Sequence, residues 1–358
     1  MDKETSMMPE INEILSLRNK NESLNNTSDG LLMPATENYI GAATSQNTRK
    51  AYQADIRHFI TWGGMLPTSP DVVMRYLHEH AKTLNTRTLT RRLTALRNWH
   101  QYQGFNDPTA HAAIRKTLVG IKNTHGKPKD KAAALTMGAL TTMVLHLKKS
   151  NRLIDYRNSA LLQLGFFGAF RRSELVGITW ESIHFVKEGI EILIERSKTD
   201  QSGVGQVCAI PYGTGLLCPV TAITTWRDQS HCESGHVFRH IKKGMVANES
   251  IQPRQVNVLI KSIAKACDLP DAANYSGHSV RRGFASEASK SNVPFASIKR
   301  QGRWRSDSTV MGYIDEGKRF DQNAAGMMLN PARNNNEQNN QDEQENKEKY
   351  DKTAANST

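Results

Sequence analysis

The amino-acid sequence predicts a mainly α fold with a small antiparallel β-sheet, divided between two domains. Apolar residues recur at helical spacing along most of the chain, which predicts amphipathic helices. Residues 190–194 alternate instead with period two, and a glycine-containing turn and a second apolar run follow them, which is typical of a β-hairpin. A polar, basic connector with one proline, residues 126–133, indicates the boundary between a helical first domain and a mixed α+β second domain.

The first domain, residues 45–125, is predicted to contain four helices. Ser69 and Pro70 suit the N-cap and the first position of the second helix. Gly104 suits the end of the third helix, whose arginines lie mostly off its apolar face. The residues that indicate buried faces are Tyr52, Ile56, Phe59 and Ile60 in the first helix, Leu89, Leu93, Leu96 and Trp99 in the third, and Ile114, Leu118 and Ile121 in the fourth.

The second domain, residues 134–330, is predicted to combine helices with one hairpin. Its strands are residues 190–194 and 207–210, with Gly203 and Gly205 in the turn between them. The predicted helices are residues 137–147 and 156–170, one after Pro219, and then residues near 254–267, 279–289, 294–300 and 308–314. A last apolar-faced segment spans residues 320–329.

Charge is distributed unevenly along the chain. The formal net charge is +12, but residues 1–44 contain three basic and seven acidic residues and residues 331–358 contain four and six, which leaves +18 for residues 45–330. A basic body between acidic ends favours a polyanion such as nucleic acid as partner, although a basic soluble protein would have the same charge. We expect residues 1–44 to be a flexible acidic segment and residues 331–358 to be a disordered tail.

Several classes of protein are disfavoured. The four cysteines form no C-x-x-C pair, so zinc knuckles and a disulfide framework are not expected, and a reducing cytosol fits. The first ten residues have neither the basic nor the apolar region of a secretory signal, so none is expected, and no apolar run is long enough to span a membrane. The stretch from Gly120 to Lys127 has one residue too many for a P-loop, and Pro128 stands where that motif has Ser or Thr. The clustered carboxylates of a metallonuclease are not evident.

Two arginines each stand three residues from a group that can assist chemistry. Arg171 precedes Glu174, and His278 precedes Arg281, so on a helix each pair shares a face. Guanidinium groups fit phosphate oxygens and stay charged, and a histidine transfers protons near neutral pH. Taken alone, the first pair can also be a surface ion pair, and the histidine can be a capping or core residue.

Three further side chains complete the candidate set. Lys198 follows the predicted strand on a hairpin loop, where it can reach a bound phosphate or simply be solvated. Tyr313 lies nine residues after Trp304. A phenol has an ordinary pKa of about 10, so a nucleophilic tyrosine needs a base and nearby cations. The alternatives are a half-buried aromatic residue at 313 and a core residue at 304.

In this order the seven residues resemble the active site of the tyrosine recombinase (phage integrase) family. Members of that family have an arginine with a glutamate three residues later, a lysine on a β-hairpin, a His-x-x-Arg motif, a His or Trp, and then the tyrosine. The resemblance extends over roughly residues 47–329, and Trp304 with its spacing to Tyr313 is most similar to Cre-like members.

The resemblance implies how DNA would be cut and rejoined. Arg171 and Arg281 hold the scissile phosphate and stabilise the charge of the transition state, as metal ions do in other enzymes. Tyr313 attacks in line and forms a 3′-phosphotyrosyl bond, and Lys198 protonates the departing 5′ oxygen. Because the bond energy is kept in the protein–DNA link, no ATP, metal or other cofactor is expected.

The remaining three residues are implied to assist. His278 helps proton transfer at the tyrosine, Trp304 buttresses the site and donates its N–H to a phosphate oxygen, and Glu174 supports the site from behind. Arg172 and Arg282 flank the two chosen arginines, which are selected by their spacing from Glu174 and from the histidine.

The resemblance also implies the partners. The first domain is similar to a core-binding (SAM-like) DNA-binding domain, and its phosphate-contact candidates are Arg49, Lys50, Arg87, Arg91 and Arg92. The expected partner is double-stranded DNA with inverted-repeat recognition sites, bound by a homotetramer that is joined through residues 320–329. No small-molecule substrate and no membrane are expected, and the chain would act on DNA in the cytoplasm or nucleoid of a bacterium, or be encoded by a phage or mobile element.

Three other functions are alternatives to recombination, and two of them also use a tyrosine nucleophile. Type IB topoisomerases and hairpin telomere resolvases also cleave through a tyrosine, but the Cre-like spacing and the short apolar segment after Tyr313 favour recombination. A DNA-binding regulator without catalysis would be expected to lack one or more of the seven residues, and all seven are present.

Overall fold

The computed structural model describes residues 44–128, 132–194, 205–319 and 324–329. Contacts within the chain divide it into two units, residues 1–128 and 129–358. The predicted fold class, mainly helical with small antiparallel sheets, is confirmed. Among the described residues, none of the helices combines the length and the apolar character needed to cross a bilayer.

The first unit contains the four predicted helices. They are α1 (Gln46–Thr61), α2 (Pro70–His80), α3 (Thr86–Tyr102) and α4 (Ala112–His125), with one 3-10 turn before α4. Ser69 and Pro70 occupy the predicted N-cap and first position of α2, although the Ser69 side chain makes no capping hydrogen bond in the described structure. Gly104 follows α3 with a φ of +76°, a conformation that glycine adopts without strain. Phe59, Tyr76 and Leu89 are buried among the apolar residues that the four helices share.

The second unit contains nine helices among its described residues. They are α5 (Met137–Lys148), α6 (Leu153–Phe167), α7 (Arg172–Gly177), α8 (Pro219–Ser230), α9 (Pro253–Ala266), α10 (Gly277–Lys290), α11 (Phe295–Gly302), α12 (Asp307–Gly317) and α13 (Ala324–Leu329). The predicted end of α6 at residue 170 is wrong. The helix stops at Phe167, because Gly168 caps it and Ala169 adopts a left-handed φ of 45°.

The sheets are small and antiparallel. Strands β1 (Ile183–Val186), β2 (Gly189–Ile194) and β3 (Gln206–Pro211) form one sheet in sequence order, and β4 (Arg239–Lys242) pairs with β5 (Met245–Ser250). The predicted hairpin is β2–β3, in which Ile192 lies opposite Cys208. The connection between these strands, residues 195–204, lies outside the described residues.

Helix α10 is packed closely against the chain that enters the second unit. A Cβ at Gly283 would lie 2.0 Å from the carbonyl oxygen of Leu135, so a larger residue would push the two segments apart. The Leu135 N–H donates to the Ser279 carbonyl at 3.0 Å. Arg282 binds the Ala132 carbonyl and the Glu316 carboxylate, which ties the entering chain to α12. This framework fixes the helix that contains His278 and Arg281 relative to the helix that contains Tyr313.

Candidate active site

Arg171 and Glu174 are joined, but not in the way that their spacing predicts. Arg171 is the N-cap of α7, with extended backbone angles, and Glu174 is the third residue of that helix. The pair predicted from the spacing is present, although Arg171 lies at the N-cap and not within the helix. Glu174 folds back, so that its Oε2 accepts from the Arg171 backbone N–H at 3.0 Å and its Oε1 accepts from Arg171 Nη1 at 2.5 Å. The Glu174 carboxylate thereby both orients the Arg171 guanidinium and caps the N-terminus of α7.

Arg281 lies in the first half of α10 and is 5% exposed. Its Nη1 donates to the Ala169 carbonyl, and its guanidinium carbon lies 4.2 Å from the centre of the Trp304 ring. Its Nη2 is buried without a hydrogen-bond partner among the described residues. Burial, and then repulsion by Arg171, lower the pKa of Arg281 to about 9. The Arg281 guanidinium is still protonated at neutral pH. A buried positive charge of this kind is stabilised when an anion binds next to it.

Trp304 contacts both Arg281 and the candidate nucleophile. Its ring centre is 6.1 Å from that of Tyr313, in an edge-on arrangement. Together with Ala285, Ile298 and Val310, Trp304 forms a small buried cluster against which Tyr313 is partly buried. Helices α10 and α12 therefore bring the Arg281 guanidinium and the Tyr313 phenol to the same indole.

Arg303 is a part of the site that the sequence did not single out. Its side chain is buried, and its Nη2 donates to the Gly168 carbonyl at 3.0 Å and to Glu174 Oε2 at 3.3 Å. Arg171 Nη2 in turn donates to the Arg303 carbonyl at 3.4 Å. Only a neighbouring Trp in the sequence marks this residue, because arginines are frequent throughout the chain and burial is not visible in the sequence.

Within the described part of the site, Glu174 pairs with the guanidinium groups of Arg171 and Arg303, and its charge also acts on that of Arg281. Burial alone would raise the pKa of Glu174, but the Arg303 charge and the hydrogen bonds from Arg171 outweigh it and leave the pKa below its usual value. Glu174 is therefore ionised at neutral pH and offsets only one of the three positive charges. The excess charge, next to a tyrosine, fits a phosphodiester.

Of the other two candidate residues, the structure describes His278 but not Lys198. His278 is exposed in the first turn of α10, one helical turn before Arg281. Lys198 falls in the connection between β2 and β3, outside the described residues. The two strands that flank this connection are described, and their register aligns Ile194 with Gln206 at the end nearest to the lysine.

The arginines that flank the chosen pair have other contacts. Arg282 is buried and bonded to Ala132 and Glu316, as described above. Arg172 lies over Gly277, where an added Cβ would come within 2.2 Å of its Cγ. Of the two arginines chosen by their spacing, Arg171 contacts Glu174 and Arg303, and Arg281 contacts Trp304.

The five basic candidates of the first unit fall into two groups. Arg49, Lys50 and Arg87 are exposed, and Arg91 is half-exposed while it makes a bidentate pair with buried Asp55 at 2.7 and 2.8 Å. Arg92 requires a correction. Its side chain is only 11% exposed and is used within the domain.

Arg92 Nη1 donates to the Tyr76 hydroxyl at 2.7 Å, and the same nitrogen lies 2.9 Å from His58 Nδ1. Its Nε lies 3.5 Å from Asp55. The guanidinium therefore serves the packing of α1, α2 and α3 and is not presented to a phosphate. Sequence spacing missed this because the residue lies at the edge of the apolar face of α3.

Family models match both units. The phage integrase family matches residues 134–319, and the phage integrase N-terminal SAM-like domain matches residues 38–103. An integrase/recombinase xerD homolog of Selenomonas ruminantium is 33% identical over 296 residues, which cover 80% of this chain and 86% of that protein. The recombinase Cre of Escherichia phage P1 is 24% identical over 295 residues, covering 76% and 84% of the two chains.

Solved structures show the same fold at lower identity. The XerH site-specific recombinase bound to palindromic difH substrate matches with a TM-score of 0.55 at 15% identity, covering 80% of this chain and 78% of that one. A lambda integrase dimer bound to a COC′ core site matches with a TM-score of 0.54 at 14% identity, covering 85% of each chain. The sequence and structural comparisons agree: the chain belongs to the phage integrase family of tyrosine recombinases, the enzymes of site-specific DNA recombination.

Proposed function

We propose that the chain cleaves and rejoins double-stranded DNA at specific sites through a covalent 3′-phosphotyrosyl intermediate on Tyr313. The observation that carries the proposal is the excess of positive charge at Arg171 and at the buried Arg281 and Arg303, in a site where Trp304 contacts both Arg281 and that tyrosine. Of these side chains, Arg281 keeps a buried nitrogen, Nη2, without a hydrogen-bond partner among the described residues. A bound phosphodiester would supply the missing negative charge.

The chemical step exchanges one phosphodiester bond for another. The Tyr313 oxygen forms a bond to phosphorus, and the bond from phosphorus to the 5′ oxygen breaks. The phenol proton passes to His278, and Lys198 gives a proton to the departing 5′ oxygen. Arg171 and Arg281 bind the two non-bridging oxygens, on which negative charge grows in the transition state. Rejoining is the same step in reverse, with a 5′ hydroxyl from the partner strand.

The site needs neither ATP nor a metal ion in this scheme. Because an ester is replaced by an ester, the energy of the phosphodiester is retained in the protein–DNA link. Arg171 and Arg281 take the charge-stabilising role that Mg²⁺ has in many phosphoryl-transfer enzymes. Trp304 supports Arg281 by packing under its guanidinium, and Glu174 orients Arg171.

The larger assembly follows the family. We propose that the first unit binds one face of the duplex with Arg49, Lys50, Arg87 and Arg91 as phosphate contacts. Four protomers would act on two inverted-repeat DNA sites, joined through residues 320–329. A lambda integrase tetramer bound to a Holliday junction has the same fold, with a TM-score of 0.53. Strand exchange in such a tetramer distinguishes this proposal from a type IB topoisomerase, which swivels one strand.

The experiment is covalent capture. The protein is incubated in EDTA, without nucleotide, with sheared DNA from its source organism, and the DNA that stays attached after denaturation is sequenced. We expect adducts clustered at one inverted-repeat sequence, and none with Tyr313→Phe, which keeps the ring and removes the nucleophile. Adducts without sequence preference would indicate a topoisomerase. Sequence-specific binding without adducts would indicate a non-catalytic regulator, and a strict requirement for a divalent metal would refute the mechanism.

A further inference from the structure

Arg303 occupies a backbone position that favours glycine. Helix α11 ends at Gly302, and Arg303 follows it in the left-handed conformation, with φ of 54° and ψ of 43°. The Arg303 N–H donates to the Arg300 carbonyl, and the Trp304 N–H donates to the Lys299 carbonyl at 3.1 Å. Glycine is the usual residue at this place in such a helix ending, since it has no Cβ to clash. An arginine here has a less favourable backbone conformation than glycine would have, and its side chain makes contacts that glycine could not make.

The Arg303 side chain makes contacts that converge on the site. Nη1 donates to the Gln301 carbonyl at 2.7 Å, and Nη2 donates both to the Gly168 carbonyl and to Glu174 Oε2. The guanidinium carbon lies 4.8 Å from the centre of the Phe170 ring. The group therefore fastens the end of α11 to the segment that leads from α6 into Arg171.

Glu174 is the link between Arg303 and Arg171. Its Oε2 accepts from Arg303 and from the Arg171 backbone, and its Oε1 accepts from the Arg171 guanidinium. The Arg303 carbonyl also accepts from Arg171 Nη2. Nη1 and Nη2 of Arg303 donate to protein acceptors, whereas its Nε is buried without a hydrogen-bond partner among the described residues. Because both terminal nitrogens are directed at Gln301, Gly168 and Glu174, the effect of Arg303 on a phosphate passes through these neighbours.

We propose that Arg303 is a positioning residue that holds Glu174, and through Glu174 the guanidinium of Arg171, in the geometry that binds the scissile phosphate. This inference rests on the proposed recombinase chemistry and adds a residue to it. It explains why strain is tolerated at residue 303, because a glycine there would leave Glu174 with Arg171 as its single described partner.

Two substitutions separate the backbone of residue 303 from its side chain. Arg303→Gly removes the guanidinium and relieves the backbone strain, whereas Arg303→Lys keeps the charge without the planar fork. The matched control is His231→Gly. His231 is an exposed residue that ends α8 in the same left-handed conformation, with φ of 54°. It therefore reports the effect of a glycine at such a position away from the residues of the candidate site.

The first readout is single-turnover cleavage of the DNA segment that wild-type protein captures through Tyr313. We expect Arg303→Gly to cleave about a hundredfold more slowly, as displaced catalytic groups commonly do, while its dissociation constant for that DNA stays close to wild type. Arg303→Lys should recover part of the rate. His231→Gly should cleave like the wild type.

The second readout needs no DNA and follows Glu174 directly. Among the described residues, the charged or titratable groups that interact with this carboxylate are Arg171, Arg303, Arg281 and Cys208. Because its pKa is lowered in the folded protein, Glu174 stabilises the fold above its usual pKa of 4.5, and this contribution is lost as pH falls through the lowered value. The difference in melting temperature between wild type and Arg303→Gly should therefore change below about pH 4.5. It should not change in a Glu174→Gln background.

The outcomes are separable. A normal cleavage rate in Arg303→Gly would overturn the proposal, and so would a loss of DNA affinity as large as the loss of rate, which would make Arg303 a direct DNA contact. A melting difference that does not depend on Glu174 would overturn the link between the two residues. If wild-type protein gives no Tyr313 adduct, the proposed function fails, and the melting experiment alone then supports or overturns that link.

Discussion

The two units of the molecule both place arginines around one buried carboxylate, and they use them differently. In the first unit, Asp55 pairs with Arg91 and Arg92, one of which reaches the surface. In the second unit, Glu174 has three guanidinium groups near it, two of which are almost fully buried.

The surroundings decide the difference. Near Asp55, the Arg92 guanidinium also has neutral hydrogen-bond acceptors. Burial, and then the Arg92 charge, lower the pKa of His58, so its neutral ring can accept from that arginine, and the Tyr76 hydroxyl accepts as well. Around Glu174, Arg281 has a carbonyl and an indole face but a nitrogen without a described partner. The lesson is that charge balance, and not the residue types, separates a structural cluster from a site built for an anion.

The largest expected effect is that of Arg281→Met. Removing one group that stabilises the transition state should lower the rate of cleavage by about 10²- to 10³-fold. Since the buried charge is poorly compensated in the absence of DNA, the melting temperature should stay the same or rise. The rate is measured with captured DNA and the melting temperature by calorimetry. A fall in melting temperature would mean that Arg281 stabilises the free protein. That result would contradict the view that the positive charge around Glu174 is poorly compensated without DNA.

Gly302→Ala should weaken the same site by a different route. An added Cβ would lie 1.7 Å from the Trp304 ring, so the ring that supports Arg281 must move. We expect a loss of about 1–3 kcal/mol in the free energy of unfolding, and cleavage slower by at least tenfold, as a rough estimate for a displaced support.

Gly138→Ala is the matched control for that substitution. Gly138 lies in α5, and apart from its chain neighbours and the backbone of its own helix, no described atom lies within 4 Å of an added Cβ. Alanine is the better helix former, so stability should rise by about 0.5–1 kcal/mol with cleavage unchanged. Equal effects of the two alanines on cleavage would disprove the role given to Trp304.

Arg92→Met should show the opposite pattern to Arg281→Met. Asp55, His58 and Tyr76 each lose a partner, so unfolding should become easier by about 1–3 kcal/mol, even though Arg91 still pairs with Asp55. At saturating DNA and below the melting temperature, the rate of cleavage should stay close to wild type. Denaturant unfolding measures the first quantity. A stable Arg92→Met protein with weak DNA binding would restore Arg92 to the phosphate contacts.

Arg87→Ala should have the smallest effect. This exposed residue at the beginning of α3 is proposed to contact one phosphate, so its loss should reduce the slope of log affinity against log salt by about 0.9. Cleavage at saturating DNA should not change. The slope is measured by fluorescence anisotropy with labelled DNA, and an unchanged slope would remove Arg87 from the interface.

Sequence patterns predicted the structure well where a single helix or strand carries its own periodic signal. Helical periodicity predicted the four helices of the first unit, and period-two alternation predicted β2 and β3. The pattern missed β1, β4 and β5. Strands β1 and β4 have four residues each, and buried and exposed residues do not alternate along them. No periodic signal in the sequence therefore marks these two strands.

The candidate site was predictable as a set of residue types but not as a geometry. Spacing identified Arg171, Glu174, Arg281, Trp304 and Tyr313, which the structure brings together. It could not show that Arg171 caps a helix instead of lying within it, because Gly168 and Ala169 end α6 just before. Residue 303 was missed for a related reason, since its role depends on a left-handed turn and on burial between distant segments.

The central claim is that the excess positive charge serves a phosphate attacked by Tyr313, and it is tested most directly by finding the residue that becomes attached to DNA. The covalent adduct would be digested with nuclease and trypsin and analysed by mass spectrometry. Trypsin cuts after Arg305 and Lys318, and Tyr313 is the one tyrosine in the peptide 306–318. The account predicts a nucleotide on this peptide, located at Tyr313. A nucleotide on any other residue, such as Tyr275, would contradict it.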